Sequence, residues 1–453
     1  MALTEIKTSG IADDAVTTDK LANAINTERT ANTAKDLTAL SASNLTSGTV
    51  PDARFPATLP AASAANLTAI PAANITGTLP AISGANLTGI SSPGKARNLI
   101  INGAMQVAQR GTSSSATGNA FLTLDRFRLT YSGQDEALTQ EQADVASGTT
   151  PYSLGFRKCF KLTNGNQTSG AGTTDYARIG YAIEAQDIAN SGWNYTSASS
   201  YITFQFWIKS SVAQSFKVEF YSDDGTRQVY SIDTGSLSAD TWTKVTKTIP
   251  GNSNLTFNND NGEGLHIRFL PFFGTDYTDN SVTENAWASY SGSTRTKDNT
   301  STWWTTNDAT FEITGVQLEL GSTATDFEHR SFAQELALCQ RYFYMHASGA
   351  EASTSNRAPI ATGAMYSSGN WNGTVNFPVK MRTSPSLYKV QGTDYFIIFG
   401  DGGNNTCSSA GIDTTCPQSG TINLSNGLAQ TSGTSHWGVI NNDLARLGFQ
   451  AEL

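Results

Sequence analysis

Between residues 366 and 437 the sequence sets aromatic side chains beside short amides and a carboxylate: Tyr366, Trp371, Tyr388, Tyr395, His436 and Trp437, with Asn370, Asn372 and Asp394. Aromatic faces stack on the CH surfaces of sugars, and amides or carboxylates bond sugar hydroxyls. This segment is the candidate glycan-binding region, although each aromatic residue taken alone also suits a core or an interface. Trp303 and Trp304 differ from these, because adjacent residues of a strand face opposite ways, one buried and the other open.

Cleaving a glycan needs a different set, two carboxylates about 5 to 10 Å apart across a cleft. Glu184, Asp223, Asp224, Glu263 and Glu312 are the raw candidates. Asp223-Asp224-Gly225 reads more simply as a hairpin turn, and Glu312 as an exposed strand position. There are four histidines, no His-rich metal motif, no Gly-x-Ser-x-Gly elbow, and no ladder of parallel β-helix repeats. The expectation is a protein without catalytic residues and without a cofactor. Asn258 to Glu263 has the oxygen density of a calcium loop but lacks the twelve-residue EF-hand spacing, so it reads as a turn and no metal is assigned. Cysteines 159, 339, 407 and 416 are too few for a disulfide framework; Cys407 and Cys416 are near enough to staple a loop, with isolated thiols the default.

Which elements hold these residues? Only 38% of the 453 residues are apolar and 15% are charged, while Thr, Ser, Asn and Gly abound, a balance that favours strands and turns. The net charge of -9 and the lack of any Lys/Arg cluster exclude nucleic acid as a partner. No apolar run is long enough to insert into a membrane, and the first residues carry no secretory signal, so an extracellular role implies release by lysis. Over 98–330 the pattern has period two: Ile202, Phe204, Phe206 and Ile208 share one face, and Phe216, Val218 and Phe220 repeat it. In 310–320 the apolar parity switches from Phe311 and Ile313 to Val316, Leu318 and Leu320, which places a β-bulge at Gly315. Many strands without a βαβ rhythm indicate two packed antiparallel sheets, and the expectation is a jelly roll. Ser331 to Gln334 reads as a capping box opening a helix over 331–348, with Phe332, Leu336, Cys339 and Phe343 on one face. Residues 349–453 form a further β-domain that ends on a strand, Ala445 to Leu453, whose far face, with Arg446, Gln450 and Glu452, meets solvent or a neighbouring chain.

The N-terminal part differs. Residues 1–42 are polar, with a sparse apolar stripe at Ile25, Leu37 and Leu40. In 43–97, Leu59-Pro-Ala-Ala-Ser-Ala-Ala-Asn-Leu-Thr-Ala-Ile70 recurs as Leu79-Pro-Ala-Ile-Ser-Gly-Ala-Asn-Leu-Thr-Gly-Ile90. Each unit has one or two aliphatic residues, too few to offset an ordering cost of about 1 to 2 kcal/mol per residue. Three chains wound together would bury them along a common axis, so the repeats point to a homotrimeric fibrous shaft; the alternative, a low-complexity flexible linker, explains the absence of charge from Phe55 to Gly94 less well.

Asn98-Leu-Ile-Ile-Asn-Gly-Ala-Met-Gln-Val-Ala-Gln-Arg-Gly111, Asp125-Arg-Phe127, Phe311 to Gly321, Ala324 to Arg330, Glu335 to Tyr342 and the closing Gly448-Phe-Gln-Ala-Glu-Leu453 resemble tail-fibre proteins of marine and cyanobacterial tailed phages. The resemblance implies a mainly β, elongated homotrimer of five parts. These are a tail-attachment segment (1–42), a shaft (43–97), a carbohydrate-binding-module-like jelly roll (98–330), a linking helix (331–348) and a receptor-binding β-domain (349–453). It further implies a virion component assembled in the host cytoplasm. The N-terminus would dock on a tail or baseplate adaptor protein, and the distal part would attach to a bacterial surface polysaccharide of lipopolysaccharide or O-antigen type. A tailspike that degrades polysaccharide and a purely structural appendage are the alternatives.

Overall fold

The computed structural model describes residue 27 and residues 98–116, 120–352, 357–400 and 403–453. The chain divides into two units, 1–87 and 88–453; the shaft and tail-attachment readings lie outside the described residues. What is described of the second unit is mainly β.

Its first part is a sandwich of two six-stranded antiparallel sheets. One runs, in spatial order, β1 (Ser113–Ser114), β3 (Thr139–Asp144), β4 (Lys158–Thr163), β12 (Thr310–Leu320), β6 (Tyr201–Ser210) and β9 (Thr243–Pro250). The other runs β11 (Trp287–Ser289), β8 (Gln228–Asp233), β7 (Lys217–Ser222), β10 (Glu263–Phe273), β5 (Tyr176–Glu184) and β2 (Arg128–Ser132). The alternation on β6 has the expected result: Ile202, Phe204, Phe206 and Ile208 are all buried between the sheets. Phe204 meets Phe220 edge to face at 5.0 Å, and Phe206 meets Phe269 at 5.0 Å. Each such ring contributes about 1.5 to 3 kcal/mol by burial.

The bulge forms where the parity switch places it. The pairing of β12 with β6 jumps between Thr314 and Gln317, and Gly315 adopts φ +62°. A Cβ there would lie 2.7 Å from the Phe156 ring, so both backbone and space require glycine. The segment from Asn98 packs on this bulge, with Asn98 Nδ2 donating to the Val316 carbonyl at 3.0 Å and the Val316 amide donating to the Gly103 carbonyl at 2.9 Å.

Four short α-helices occur among the described residues from 98 onward: α1 (Thr150–Ser153), α2 (Ala185–Ala189), α3 (Thr302–Thr305) and α4 (Phe332–Gln340). Trp303 and Trp304 sit on α3, not on a strand, and both are fully buried. A helical turn lets neighbouring indoles enter the same core: Trp304 stacks on Phe272 at 5.2 Å, while Trp303 meets Phe311. Glu312 is also buried, not exposed, because the cross-strand lysines Lys161 and Lys209 flank it and Lys209 Nζ reaches its carboxylate at 3.0 Å. The capping box at Ser331 and Gln334 is present, but α4 ends at Gln340. Phe343 begins the next strand, and Phe332 is 55% exposed, so the expected apolar face is confined to Cys339 and its surroundings.

The distal part has a three-stranded sheet, β13 (Phe343–Ser348), β22 (Arg446–Gln450) and β16 (Ser386–Val390). A seven-stranded sheet follows the spatial order β18 (Gly403–Cys407), β17 (Phe396–Gly400), β21 (Ser435–Ile440), β14 (Pro359–Ser367), β15 (Asn370–Asn376), β20 (Ser419–Ser425) and β19 (Ser409–Cys416). Leu447 and Phe449 of β22 are fully buried. All four thiols are free; Cys159 and Cys407 lie in apolar clusters, and Cys339 is buried near the charged groups of Asp125, Glu335 and Arg126.

On the far face of the chain end Arg446 and Gln450 are half-exposed, and only Glu452 departs from the expectation. Glu452 turns to the sandwich, where Arg126 Nη1 and Arg110 Nη2 reach its carboxylate at 2.7 and 3.2 Å. Arg126 lies 3.5 Å over the Tyr342 ring, and Arg110 3.5 Å over the Phe343 ring. Glu184 at the end of β5 accepts from Arg341 Nε and Nη2 at 2.6 and 2.7 Å and from the Tyr342 hydroxyl at 2.5 Å. Sandwich and distal part are therefore fastened by buried charge.

Candidate functional site

The inner faces of both sandwich sheets are apolar, and the sheet containing β5, β7 and β10 has an outer face of another kind. Period-two alternation puts Arg128 and Thr130 of β2, Arg178 and Gly180 of β5, Tyr221 of β7, and His266 and Arg268 of β10 on that face. With Phe121 at the rim and Glu263 at one end they line a shallow groove of about 140 Å³. Gly180 pairs with Arg128 on one side and Arg268 on the other, and a Cβ there would meet only the Arg128 carbonyl oxygen, at 3.7 Å. The floor of the groove is thus open backbone between two guanidinium-bearing strands.

The polar groups are held in place by one another. The Tyr221 ring stacks on the His266 ring at 4.3 Å, and the Arg268 guanidinium lies 4.1 Å from its centroid and donates to its hydroxyl. Arg178 Nε donates to Thr130 Oγ1 at 2.6 Å. His266 Nε2 lies 3.0 Å from Glu263 Oε2, and this close contact, with the charges of Arg268 and Arg128 nearby, holds the Glu263 carboxyl below its ordinary range against the opposing effect of burial. Burial pushes the Tyr221 phenol up to about 12 despite the nearby Arg268, so it remains a neutral donor. Asp223, Glu263 and His266 bring their donor atoms within 4.8 Å of one another, the one such trio among the described residues, with Asp223 already paired to Arg227.

The residues singled out from the sequence divide into separate groups. Tyr366 and Trp437 are 77% and 48% exposed on the outer face of the seven-stranded sheet, and Asn370 and Asn372 share that face by strand alternation. Trp437 packs on Phe399 at 5.6 Å, with Arg357 over Phe399; Asn372 accepts from Asn423 at 2.8 Å. Trp371 and His436 do not face solvent. Trp371 is fully buried because Gly373 and Gly438 leave room for its ring, where a Cβ would come within 2.3 and 2.7 Å of it. His436 is buried too, in contact with Thr434 Oγ1 at 2.7 Å. Tyr388 lies on the three-stranded sheet, edge-on to Phe343 at 5.3 Å. Asp394 (φ +57°) and Tyr395 occupy the turn before β17.

Among the raw carboxylates, Glu184 and Glu312 are taken up in buried ion pairs, and Asp224 fixes Asn258 at 2.6 and 2.9 Å. Asn258 to Glu263 is a turn whose oxygens face inward: Asp260 accepts from the Gly262 amide, and the Asp260 and Gly262 carbonyls accept from Gln186 and Ala185 of α2. Sequence reasoning missed Arg128, Arg178, Tyr221, His266 and Arg268. The available signal was the polar parity of Tyr-Ala-Arg-Ile-Gly, Glu-Phe-Tyr and His-Ile-Arg, bulky and cationic where a solvent face usually carries Thr, Ser or Lys.

No protein-family model and no curated protein matches the chain. Among solved structures, the enzymatically active domain of a tailspike protein from bacteriophage CBA120 aligns at 12% identity and a TM-score of 0.26, over 49% of this chain and 21% of that one. The N-terminal cellulose-binding domain of a Cellulomonas fimi β-1,4-glucanase aligns at 10% identity and 0.23, over 48% and 97%. A tandem of family-22 carbohydrate-binding modules from Paenibacillus barcinonensis aligns at 8% identity and 0.24, over 80% and 99%. The chain thus spans about a fifth of the tailspike domain it aligns with. Scores this low do not define a shared fold, and the sandwich rests on its own strand order.

Proposed function

We propose that this chain is a non-enzymatic, receptor-binding tail fibre of a tailed phage, which holds a bacterial surface glycan in the groove over β2, β5, β10 and β7. The observation that carries this reading is the groove itself: open backbone at Gly180, an apolar ring at Phe121, and fixed hydrogen-bonding groups on four strands. A rim ring with a few fixed polar groups suits a sugar better than an apolar ligand. Binding without cleavage is favoured because a glycosidase needs two carboxyls across a cleft, whereas Glu263 is the one acidic side chain that lines the groove. The exposed Tyr366 and Trp437 offer a second, weaker surface on the distal sheet. A homotrimer docked through its N-terminus on a tail adaptor would repeat each site, and linked sites raise avidity by roughly 100-fold to 10,000-fold.

Affinity electrophoresis through gels containing bacterial surface polysaccharides tests this, with polymer length followed in parallel by size-exclusion chromatography. The expected result is retardation by at least one polymer, its loss in Gly180→Trp, and unchanged polymer length. Shortened polymer would establish the degrading tailspike instead. No retardation by any polymer would leave the structural appendage.

A further inference from the structure

The groove is not electrically balanced. Arg178, Arg268 and Arg295 approach one another on the outer face of this sheet, and among the described residues Glu219 is the one carboxylate within 4 Å of any of them. Arg295 takes it with both arms, Nε at 2.9 Å from Oε1 and Nη2 on Oε2, and Arg268 Nη1 stands 3.7 Å away. Arg178 is left with the Thr130 hydroxyl and the Tyr176 ring, and among the described residues it meets no carboxylate. Burial and the like charges of Arg268 and Arg295 bring its guanidinium down to about 10. At the other end Asp223 pairs with Arg227, and Glu263 stands 3.0 Å from His266 and also feels the charges of Arg268 and Arg128, so no acid there reaches Arg178.

A half-buried cation without a counter-ion is costly, and a cluster of such cations is costlier. A guanidinium presents a planar fork that matches carboxylate, phosphate or sulfate oxygens, and Arg178 lines the groove. The rest of the molecule works against anions, since the chain carries a net charge of -9. Attraction of an acidic polymer therefore has to come from this cluster and not from the general surface.

We propose that the groove selects an acidic glycan, one whose sugar carries a carboxylate, phosphate or sulfate group that docks on Arg178 beside Arg268. This rests on the glycan-binding reading of the same groove and names the class of its ligand. Neutral sugars lack the charge that would compensate the cluster, so they bind more weakly.

The test runs the full chain through gels containing polygalacturonate, phosphomannan or dextran sulfate, which separate the three anionic groups, and through unmodified dextran. Retention by at least one acidic polymer is expected, weakened roughly 10-fold by Arg178→Gln and by added salt, less by Arg178→Lys, and abolished by Gly180→Trp. Circular dichroism verifies that each variant is folded. Equal retention by dextran, unaffected by Arg178→Gln but lost in Gly180→Trp, overturns the acidic preference and leaves the groove as a glycan site. Retention of acidic polymers that survives both Arg178→Gln and Gly180→Trp places the binding elsewhere and overturns it as well. If no polymer, acidic or neutral, is retained, both the preference and the glycan reading fail.

Discussion

Replacing Glu184 by Gln tests whether buried charge fastens the sandwich to the distal part. The carboxylate is fully buried and accepts from Arg341 Nε and Nη2, the Tyr342 hydroxyl and Gln186 Nε2 at 2.5 to 2.7 Å. Glutamine retains one acceptor oxygen and turns an NH2 toward the donors of Arg341. Breaking a buried ion pair from one side costs about 3 to 5 kcal/mol. The Arg341 side chain is 29% exposed and water can take up part of its lost bonding, so the loss falls at the low end, about 3 kcal/mol. That lowers the thermal midpoint by roughly 6 to 12 °C. Burial alone would raise the Glu184 carboxyl, but hydrogen bonds from Arg341, Tyr342 and Gln186 outweigh it and hold it below its ordinary range. Its contribution is therefore complete above the unfolded carboxylate range and disappears as pH falls through the folded value. Scanning calorimetry of wild type and Glu184→Gln at pH 7 and in acid should show a wide gap that narrows on acidification. An unchanged midpoint at pH 7, or a gap that stays constant with pH, would refute the reasoning.

Asp125 has the opposite sign. Complete burial, only partly offset by Arg110, raises its carboxyl from 3.8 to about 6, so ionising it opposes folding. Its contribution to stability should fall as pH rises from about 4 to about 6, and Asp125→Asn should flatten the stability profile in that window, read by urea midpoints. Gly315→Ala should lose about 1 to 3 kcal/mol in the same assay, because alanine is strained at φ +62° and its methyl meets Phe156. Trp371→Ala should cost about 3 to 5 kcal/mol by emptying the distal core, whereas Trp437→Ala should change stability by less than about 0.5 kcal/mol. Light scattering on the intact chain should give three times the chain mass, and a stable monomer or dimer would exclude the proposed shaft.

Strand faces were legible because a half-buried strand writes its orientation into every second residue. Ile202 to Ile208 and the bulge at Gly315 follow from that rule alone. Parity does not state which strands are neighbours. The groove residues come from 128–130, 178–182, 221 and 263–268, and only the spatial order β7-β10-β5-β2 makes them one site. Trp371 failed as a surface residue for a similar reason, since the room for its ring depends partly on Gly438, far along the chain. The segments that resemble phage fibres occupy the joint more than the groove. Arg110, Asp125, Arg126, Glu335, Arg341, Tyr342 and Glu452 meet there, and Asn102 donates its amide to Glu335. Those motifs therefore report how the two β parts are fastened, whereas the groove, apart from the closing Leu453, is lined from segments outside them.

The most direct measurement is a crystal structure of the intact chain soaked with an oligosaccharide from a polymer that retards it. A sugar ring should lie over Gly180, beside Phe121 and within hydrogen-bonding distance of Arg178. Density confined to the Tyr366 and Trp437 face of the distal sheet, with the groove empty, would contradict the account.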